Sequence, residues 1–415
     1  LLGSFWGSSA GLLDADADGI LDLVVVNYLD FDFDQVASRT SGECTWKGRS
    51  VNCGPEGLEA QADQIYRGKG DGTFESFGAG IGFVPRASAF GLGIVTGDFD
   101  ADGDTDLYIT NDSTPNHLWE NGPGDESGRS FREKAMRRGV AVDANGREQA
   151  GMGVGAGDVD GDGRADFFVT NFSGENHCLY LSANRSSYRE RSHMTGVAGT
   201  STPLLGWGAG LADLDNDADL DLFAFHGHVY PEADRTGTDT TYGQLDYLMR
   251  NTGTLTDPRF APEPLSARAP SVSRAATVGD LDGDGDLDLV AVDRGGPVRV
   301  LRNDLKADAS SWFGVRLVDT TCANSAGVGA RIELDFAVKA GDGGEESVLT
   351  LRREITVSGG FQGGLPGEAH FGLGSLGAPV AGRVFWPSGD REAQVVSDST
   401  LKNIGKWNQI ERVAK

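Results

Sequence analysis

One acidic nonapeptide, written five times, constrains this chain more than any other feature of it. Asp98-Phe-Asp-Ala-Asp-Gly-Asp-Thr-Asp106 recurs with the same acidic spacing as Asp14 to Asp22, Asp158 to Asp166, Asp213 to Asp221 and Asp280 to Asp288. The first aspartates are 84, 60, 55 and 67 residues apart, the length of one four-stranded blade. A glycine-rich apolar run precedes each of the three middle loops, as in Gly91-Leu-Gly-Ile-Val-Thr-Gly97, and a β-rich run such as Asp106-Leu-Tyr-Ile-Thr-Asn111 follows. A third run pairs Leu or Ile with an aromatic (Leu118-Trp119, Ile65-Tyr66, Leu179-Tyr180), and a fourth opens on Phe74, Phe131, Tyr188 or Phe260. Four strands per unit, repeated radially, predict an all-β chain whose first part is a β-propeller with five visible metal-loop blades.

The loop chemistry is that of a hard cation. Carboxylates at positions 1, 3, 5 and 9, a small residue at 6 and a carbonyl at 7 offer the oxygen-rich shell that Ca²⁺ takes, and more oxygens than Mg²⁺ accepts. The predicted side-chain ligands are Asp14, Asp16, Asp18 and Asp22; Asp98, Asp100, Asp102 and Asp106; Asp158, Asp160, Asp162 and Asp166; Asp213, Asp215, Asp217 and Asp221; and Asp280, Asp282, Asp284 and Asp288. Backbone oxygens would come from Ile20, Asp104, Arg164, Asp219 and Asp286, giving about five Ca²⁺ per chain. An EF-hand begins alike but needs Glu at position 12 between two helices. Position 12 here is Val25, Ile109, Val169, Ala224 or Ala291. Position 6 is Gly19, Gly103, Gly163 and Gly285 but Ala218 in the fourth loop, which marks that loop as the weakest site if the position requires positive φ. Five Ca²⁺ would move the net charge from −26 to −16, so folding and metal binding are expected to be coupled.

That acidity disfavours nucleic acid and anionic membranes as partners. No apolar run is long enough to span a bilayer, and Leu1 reads as the start of a processed or trimmed chain. Cys44 and Cys53 bracket a short glycine-containing loop and suit a disulfide in an oxidising compartment; Cys178 and Cys322 have no evident partner. Gly7-Ser-Ser-Ala-Gly11 has the spacing of a nucleophile elbow, but a metal loop follows where a helix is required, so Ser9 is not read as a nucleophile. His117 and His177 fall at matching places in two repeats and read as packing or turn residues, and His226 with His228 is a weak transition-metal candidate. Arg137-Arg138 and Arg352-Arg353 read as solvated or paired basic spots.

These repeats resemble FG-GAP/VCBS repeats, the units of integrin-α-type propellers, over roughly residues 1 to 305. Cys44-Thr-Trp-Lys-Gly-Arg-Ser-Val-Asn-Cys53 and His226-Gly-His-Val-Tyr-Pro231 are similar to segments of the secreted cartilage-acidic-protein family and its bacterial relatives. After Asp288 the acidic loop does not return. Short strands are predicted at Trp312 to Val318, Ala330 to Val338, Val348 to Val357 and Val380 to Trp386, a second, β-sandwich-like domain over 306–415. Its Asn324-Ser-Ala-Gly-Val-Gly-Ala-Arg331, Ser358-Gly-Gly-Phe361 and His370-Phe-Gly-Leu-Gly374 resemble the ASPIC/UnbV domain. Propellers of that type usually have seven blades, so the resemblance implies hidden blades, a reduced ring, or a closing strand from another chain. The resulting expectation is a calcium-stabilised, non-catalytic binding or scaffold module. It would be secreted, on the cell surface or periplasmic, with a protein or glycan partner or as a subunit of a larger assembly. A carbohydrate-active lyase or hydrolase acting at the channel mouth is the alternative.

Overall fold

The computed structural model describes residues 5–30, 44–55, 57–85, 89–124, 128–265, 269–305, 312–339, 346–387 and 392–412. Leu1 and the predicted domain boundary, which borders 306–311, lie at or outside the edges of that set. Five antiparallel sheets follow one another along the chain. Blade 1 is Gly7–Leu13, Asp22–Asn27, Gln64–Gly68 and Phe74–Ser76; blade 2 is Gly91–Gly97, Asp106–Asn111, His117–Glu120 and Arg132–Glu133. Blade 3 is Val154–Gly157, Asp166–Val169, Cys178–Asn184 and Ser187–Glu190; blade 4 is Gly206–Ala212, Asp221–His226, Tyr247–Asn251 and Phe260–Pro264. Blade 5 has three strands, Ser273–Gly279, Asp288–Asp293 and Val298–Leu301.

Apolar alternation makes the blades stack as a β-propeller. Val24, Ile65, Ile94, Ile109 and Trp119 join blades 1 and 2 in one buried cluster. Tyr108 stacks on Phe167 at 4.2 Å between blades 2 and 3, Phe168 meets Leu222 and Met249 between 3 and 4, and Phe223 and Phe225 meet Leu289 between 4 and 5. A fully buried side chain of this size contributes about 1.5–3 kcal/mol, so each seam stabilises the stack by several kcal/mol. The glycine-rich runs are explained by crowding at the axis: a Cβ on Gly153 would overlap the Trp207 carbonyl, and one on Gly208 the Ala276 backbone. Blade 5 turns Val292, Val298 and Val300 away from blade 4, and these are 42%, 61% and 60% exposed.

Two further sheets form the C-terminal sandwich. Ala369–Gly372, Trp312–Val318 and Trp407–Glu411 face Glu346–Glu354, Arg331–Lys339, Ala381–Phe385 and Gln394–Val395 across a core of Phe313, Val315, Leu334, Phe336, Phe371 and Val384. The strand predicted to run to Val357 ends at Glu354, because the residues after it have another task. Ser358 to Gly364 enter the propeller axis. Gly360 exchanges backbone hydrogen bonds with Ile94 of blade 2 (3.0 and 3.4 Å), the Gln362 amide donates to Ser9 Oγ of blade 1 at 3.0 Å, and Thr277 of blade 5 donates to the Gly364 carbonyl. Phe361 packs on Trp207 of blade 4 with ring centroids 4.9 Å apart. The C-terminal domain thus plugs the channel of the N-terminal one.

Candidate metal loops and the two faces of the propeller

Each acidic loop connects the first and second strands of its blade, and the five share one hydrogen-bond scheme. The position 1 carboxylate accepts the position 6 amide: Gly19 to Asp14 (2.9 Å), Gly103 to Asp98 (3.1 Å), Gly163 to Asp158 (2.9 Å), Ala218 to Asp213 (2.9 Å) and Gly285 to Asp280 (3.2 Å). The position 5 carboxylate accepts the position 7 amide in every loop, from Ile20, Asp104, Arg164, Asp219 and Asp286. Position 9 is buried to 1% exposure or less, and its two oxygens are divided. In Asp22, Asp106, Asp166, Asp221 and Asp288 one oxygen accepts the position 2 amide and the other an amide in or just after the third strand. The ninth aspartate therefore clasps the loop to the blade.

Two positions adopt the left-handed region. Position 6 has φ of +83°, +91°, +82°, +87° and +93° in chain order, so Ala218 holds a conformation that disfavours a Cβ by about 1–2 kcal/mol. Position 4 does the same, with Ala17, Ala101, Gly161, Asn216 and Gly283 between +60° and +81°.

The donor set fits a divalent cation. In each loop three carboxylates bring oxygens within 4.8 Å of one another: Asp14, Asp16 and Asp18; Asp98, Asp100 and Asp106; Asp158, Asp160 and Asp166; Asp213, Asp215 and Asp217; Asp280, Asp282 and Asp288. Asp16 Oδ1, Asp158 Oδ1 and Asp215 Oδ1 are buried without a hydrogen-bond donor. An arginine pairs with each loop at its third or fifth position (Arg67 with Asp16, Arg138 with Asp100, Arg164 with Asp162, Arg250 with Asp215, Arg302 with Asp282), and the second loop adds Arg331 on Asp98 and Arg129 on Asp104, so the carboxylates outnumber the paired arginines in every loop. Burial, followed by mutual repulsion, pushes Asp14, Asp100 and Asp160 up to about 6, and burial raises Asp22 and Asp221 to about 7 and Asp219 to about 8. Such carboxylates need a cation to ionise together at neutral pH.

The C-terminal domain reaches all five loops. The Asn324 amide donates to the Gly19 carbonyl at 3.0 Å; Glu354 accepts the Asp98 amide at 3.1 Å; Arg352 donates to the Gly163 carbonyl. The Gly374 amide donates to the Asn216 carbonyl at 2.8 Å, and at the fifth loop Trp407 Nε1 donates to Asp280 Oδ2 at 2.8 Å while His370 Nε2 lies 3.0 Å from the Gly285 carbonyl. Between this domain and the blades is a cavity of about 200 Å³ lined by Val95, Val154, Leu211, Val278, Glu354 and His370. Burial pushes Glu354 up to about 8 and His370 down to about 4. Glu354 accepts the Asp98 amide and His370 Nε2 lies against the Gly285 carbonyl, so both groups also brace loops.

The opposite face carries the strand ends remote from the loops. Cys44 and Cys53 are joined by a disulfide with Cα atoms 5.2 Å apart, closing the Thr45–Trp46, Arg49–Ser50 ribbon. That ribbon extends from blade 1 to blade 4, where Trp46 packs on His228 (4.6 Å) and Tyr230 (5.7 Å) and Arg49 donates to the Thr236 carbonyl at 2.9 Å. Phe172 lies against both His228 and Tyr230, Tyr28 donates to Asp112 at 2.7 Å, and Trp6 is 47% exposed beside Tyr28.

Two expectations change. His226 Nε2 faces His177 Nε2 at 3.0 Å rather than sharing an ion with His228. Because His177 Nδ1 accepts the Asn171 amide, its proton lies on Nε2 and is donated to His226, and burial keeps both rings neutral. His177 matches Asn116, whose side chain accepts the Asn111 amide, and not His117, because the third repeat has one more residue in that turn. Of the two readings left for the basic spots, Arg138 and Arg352 take the paired one: Arg138 pairs with Glu120 and Asp100, and Arg352 with Glu333. Ser9 donates to the Leu92 carbonyl at 2.6 Å as an inter-blade tether.

This constellation defines the class: the chain is a protein of FG-GAP-like repeats, matched at residues 57–109, 98–169 and 158–224, followed by an ASPIC and UnbV domain at 320–405. It is similar to cartilage acidic protein 1 of Mus musculus, 27% identical over 320 residues that make up 76% of this chain and 44% of the mouse protein. The Homo sapiens protein is 27% identical over 321 residues, 76% of this chain and 43% of its own length. The chain thus spans less than half the length of these relatives. Among solved structures, an Agrocybe aegerita lectin described as recognising non-reducing terminal N-acetylglucosamine superposes with a TM-score of 0.34 at 15% identity, over 73% of this chain and 82% of that one.

Proposed function

We propose that this chain is a calcium-stabilised, non-catalytic binding module of the extracellular or periplasmic space, presenting a protein or glycan ligand site on the face remote from its acidic loops. The observation that carries this reading is the coverage of the loop face: the C-terminal domain contacts every loop, so the ions have a structural place and the free surface is the aromatic one. Residues 1–305 and 306–415 are two domains in this reading, and each loop holds one Ca²⁺ through positions 1, 3, 5 and 9 and the carbonyl at 7. The Cys44–Cys53 disulfide favours an oxidising compartment, and no helix among the described residues is long and apolar enough to cross a membrane. Elemental analysis of protein dialysed against calcium should return about five Ca²⁺ per chain. Glycan and extracellular-protein arrays probed with wild type and with Trp6→Ala/Tyr230→Ala then test the face; ligand binding that survives the double variant counts against it.

A catalytic reading has one observation in its favour. Glu175, which burial pushes up to about 7, lies near Asp112 on the aromatic face. Polysaccharide cleavage abolished by Glu175→Gln would establish it; because Glu175 also accepts the Ala150 amide at 2.9 Å, the variant must retain the wild-type melting temperature.

A further inference from the structure

We infer that the C-terminal domain supplies the outer coordination sphere of the acidic loops, so that calcium binding and domain docking are two readings of one equilibrium. The inference rests on the calcium reading above and extends it to residues outside the nonapeptides. A ligand carboxylate is aimed by what bonds its remaining lone pairs, and removing such a partner typically weakens a metal site by about 10–100-fold. Trp407 is such a partner: its indole donates to Asp280 Oδ2, the first carboxylate of the fifth loop, from a strand 127 residues further along the chain. In the other loops the domain bonds the backbone that sets the curl: the carbonyls of Gly19, Gly163 and Asn216 at positions 6, 6 and 4, and the amide of Asp98 at position 1. These are the turns held at positive φ, or the residue that opens them, so a loop that relaxes loses its contact with the domain.

The axial plug ties the five contacts into one event. Ser358 to Gly364 bond to blades 1, 2 and 5, and Phe361 packs on blade 4, so the domain cannot leave one loop while seated on the others. Gly360 is the point at which the plug is most tightly gauged: at φ +69° its Cβ would lie 2.6 Å from the Val154 carbonyl oxygen. Linkage then requires reciprocity: whatever factor calcium contributes to docking, docking contributes to calcium affinity.

Two variants of the full chain test this. Trp407→Phe removes the indole donor and keeps an aromatic ring against Trp312 and His370. Gly360→Ala wedges the plug and touches no ligand. Calcium titration by calorimetry is read beside hydrogen exchange of the 356–365 peptide with calcium and with chelator. In wild type, chelation should expose the plug amides while Ile332 to Phe336 in the sandwich core stay protected. Trp407→Phe should weaken one binding event about tenfold, and Gly360→Ala should weaken several at once. If wild type binds no calcium, the metal reading and this inference fall together. If it binds about five ions, yet the plug exchanges alike in both conditions and both variants titrate as wild type, only the coupling is refuted.

Discussion

Replacing Gly285 by alanine separates backbone strain from domain docking. Gly285 is position 6 of the fifth loop, at φ +93°, and an added Cβ would lie inside the Trp312 indole. The left-handed backbone alone costs an alanine about 1–2 kcal/mol. Trp312 is 3% exposed and packed against His370 and Trp407, so displacing it adds the overpacking cost of about 1–3 kcal/mol. Gly283, two residues earlier in the same loop, has φ +81° and nothing within 4 Å of its Cβ position. Gly283→Ala therefore reports the strain alone. Guanidinium denaturation in excess calcium, followed by tryptophan fluorescence, should place Gly285→Ala about 2–5 kcal/mol below wild type and Gly283→Ala about 1–2 below it. Equal losses in the two variants would mean that Trp312 does not rest on the fifth loop, and the docking described above would be wrong.

Stability without metal should decline with rising pH. A carboxylate whose folded value is raised favours the fold while protonated, so stability is lost as pH climbs from the ordinary aspartate value of 3.8 through about 6 for Asp14 and about 7 for Asp22, by about 4 kcal/mol for Asp22 taken alone. Chelated protein should melt higher at pH 4.5 than at pH 7.5, and excess calcium should reverse the order; a flat profile counts against the buried carboxylates. Cys44→Ser should cost no more than about 2–3 kcal/mol, the entropy of a short closed loop, and should raise hydrogen exchange in the Trp46 ribbon without moving the main transition; unchanged exchange would show that the ribbon holds without its bridge. Ala218→Gly should stay within about 1 kcal/mol of wild type: relief of about 1–2 kcal/mol of strain is offset by about 0.8 for a methyl buried in the C-terminal core and about 0.5–1 for the glycine backbone. A fourth site sharply tightened by that change would bear out the expectation that Ala218 marks the weakest loop.

The loops were legible because their chemistry is local: nine residues contain the carboxylates and the turn. The left-handed fourth position was missed: Gly161 and Gly283 hint at it, but Ala17, Ala101 and Asn216 in the other copies obscure it unless all five are compared at that position. The docking was not legible. It is carried by single groups such as Trp407 Nε1 and the Asn324 amide, which follow no period and leave no composition shift. Likewise the exchange of roles between Asn116 and His177 rests on one inserted residue, invisible to a reading that aligned the two Asn-His pairs.

The plug has a consequence for biosynthesis. Ser9 and Gln362 meet across 353 residues, and Thr96 and Ser358 across 262, so the axis of the blades is completed by residues translated only after all five repeats. Blades can stack pairwise as they emerge, since their seams join neighbours, but the ring remains hollow and its acidic face bare until the sandwich is made. A message cut short after the fifth repeat would encode every metal loop and none of the protection, leaving Leu92 and Met152 without Phe361 over them. For such a product the uncovered axis and bare acidic loops, not the sequence of the repeats, would decide its fate.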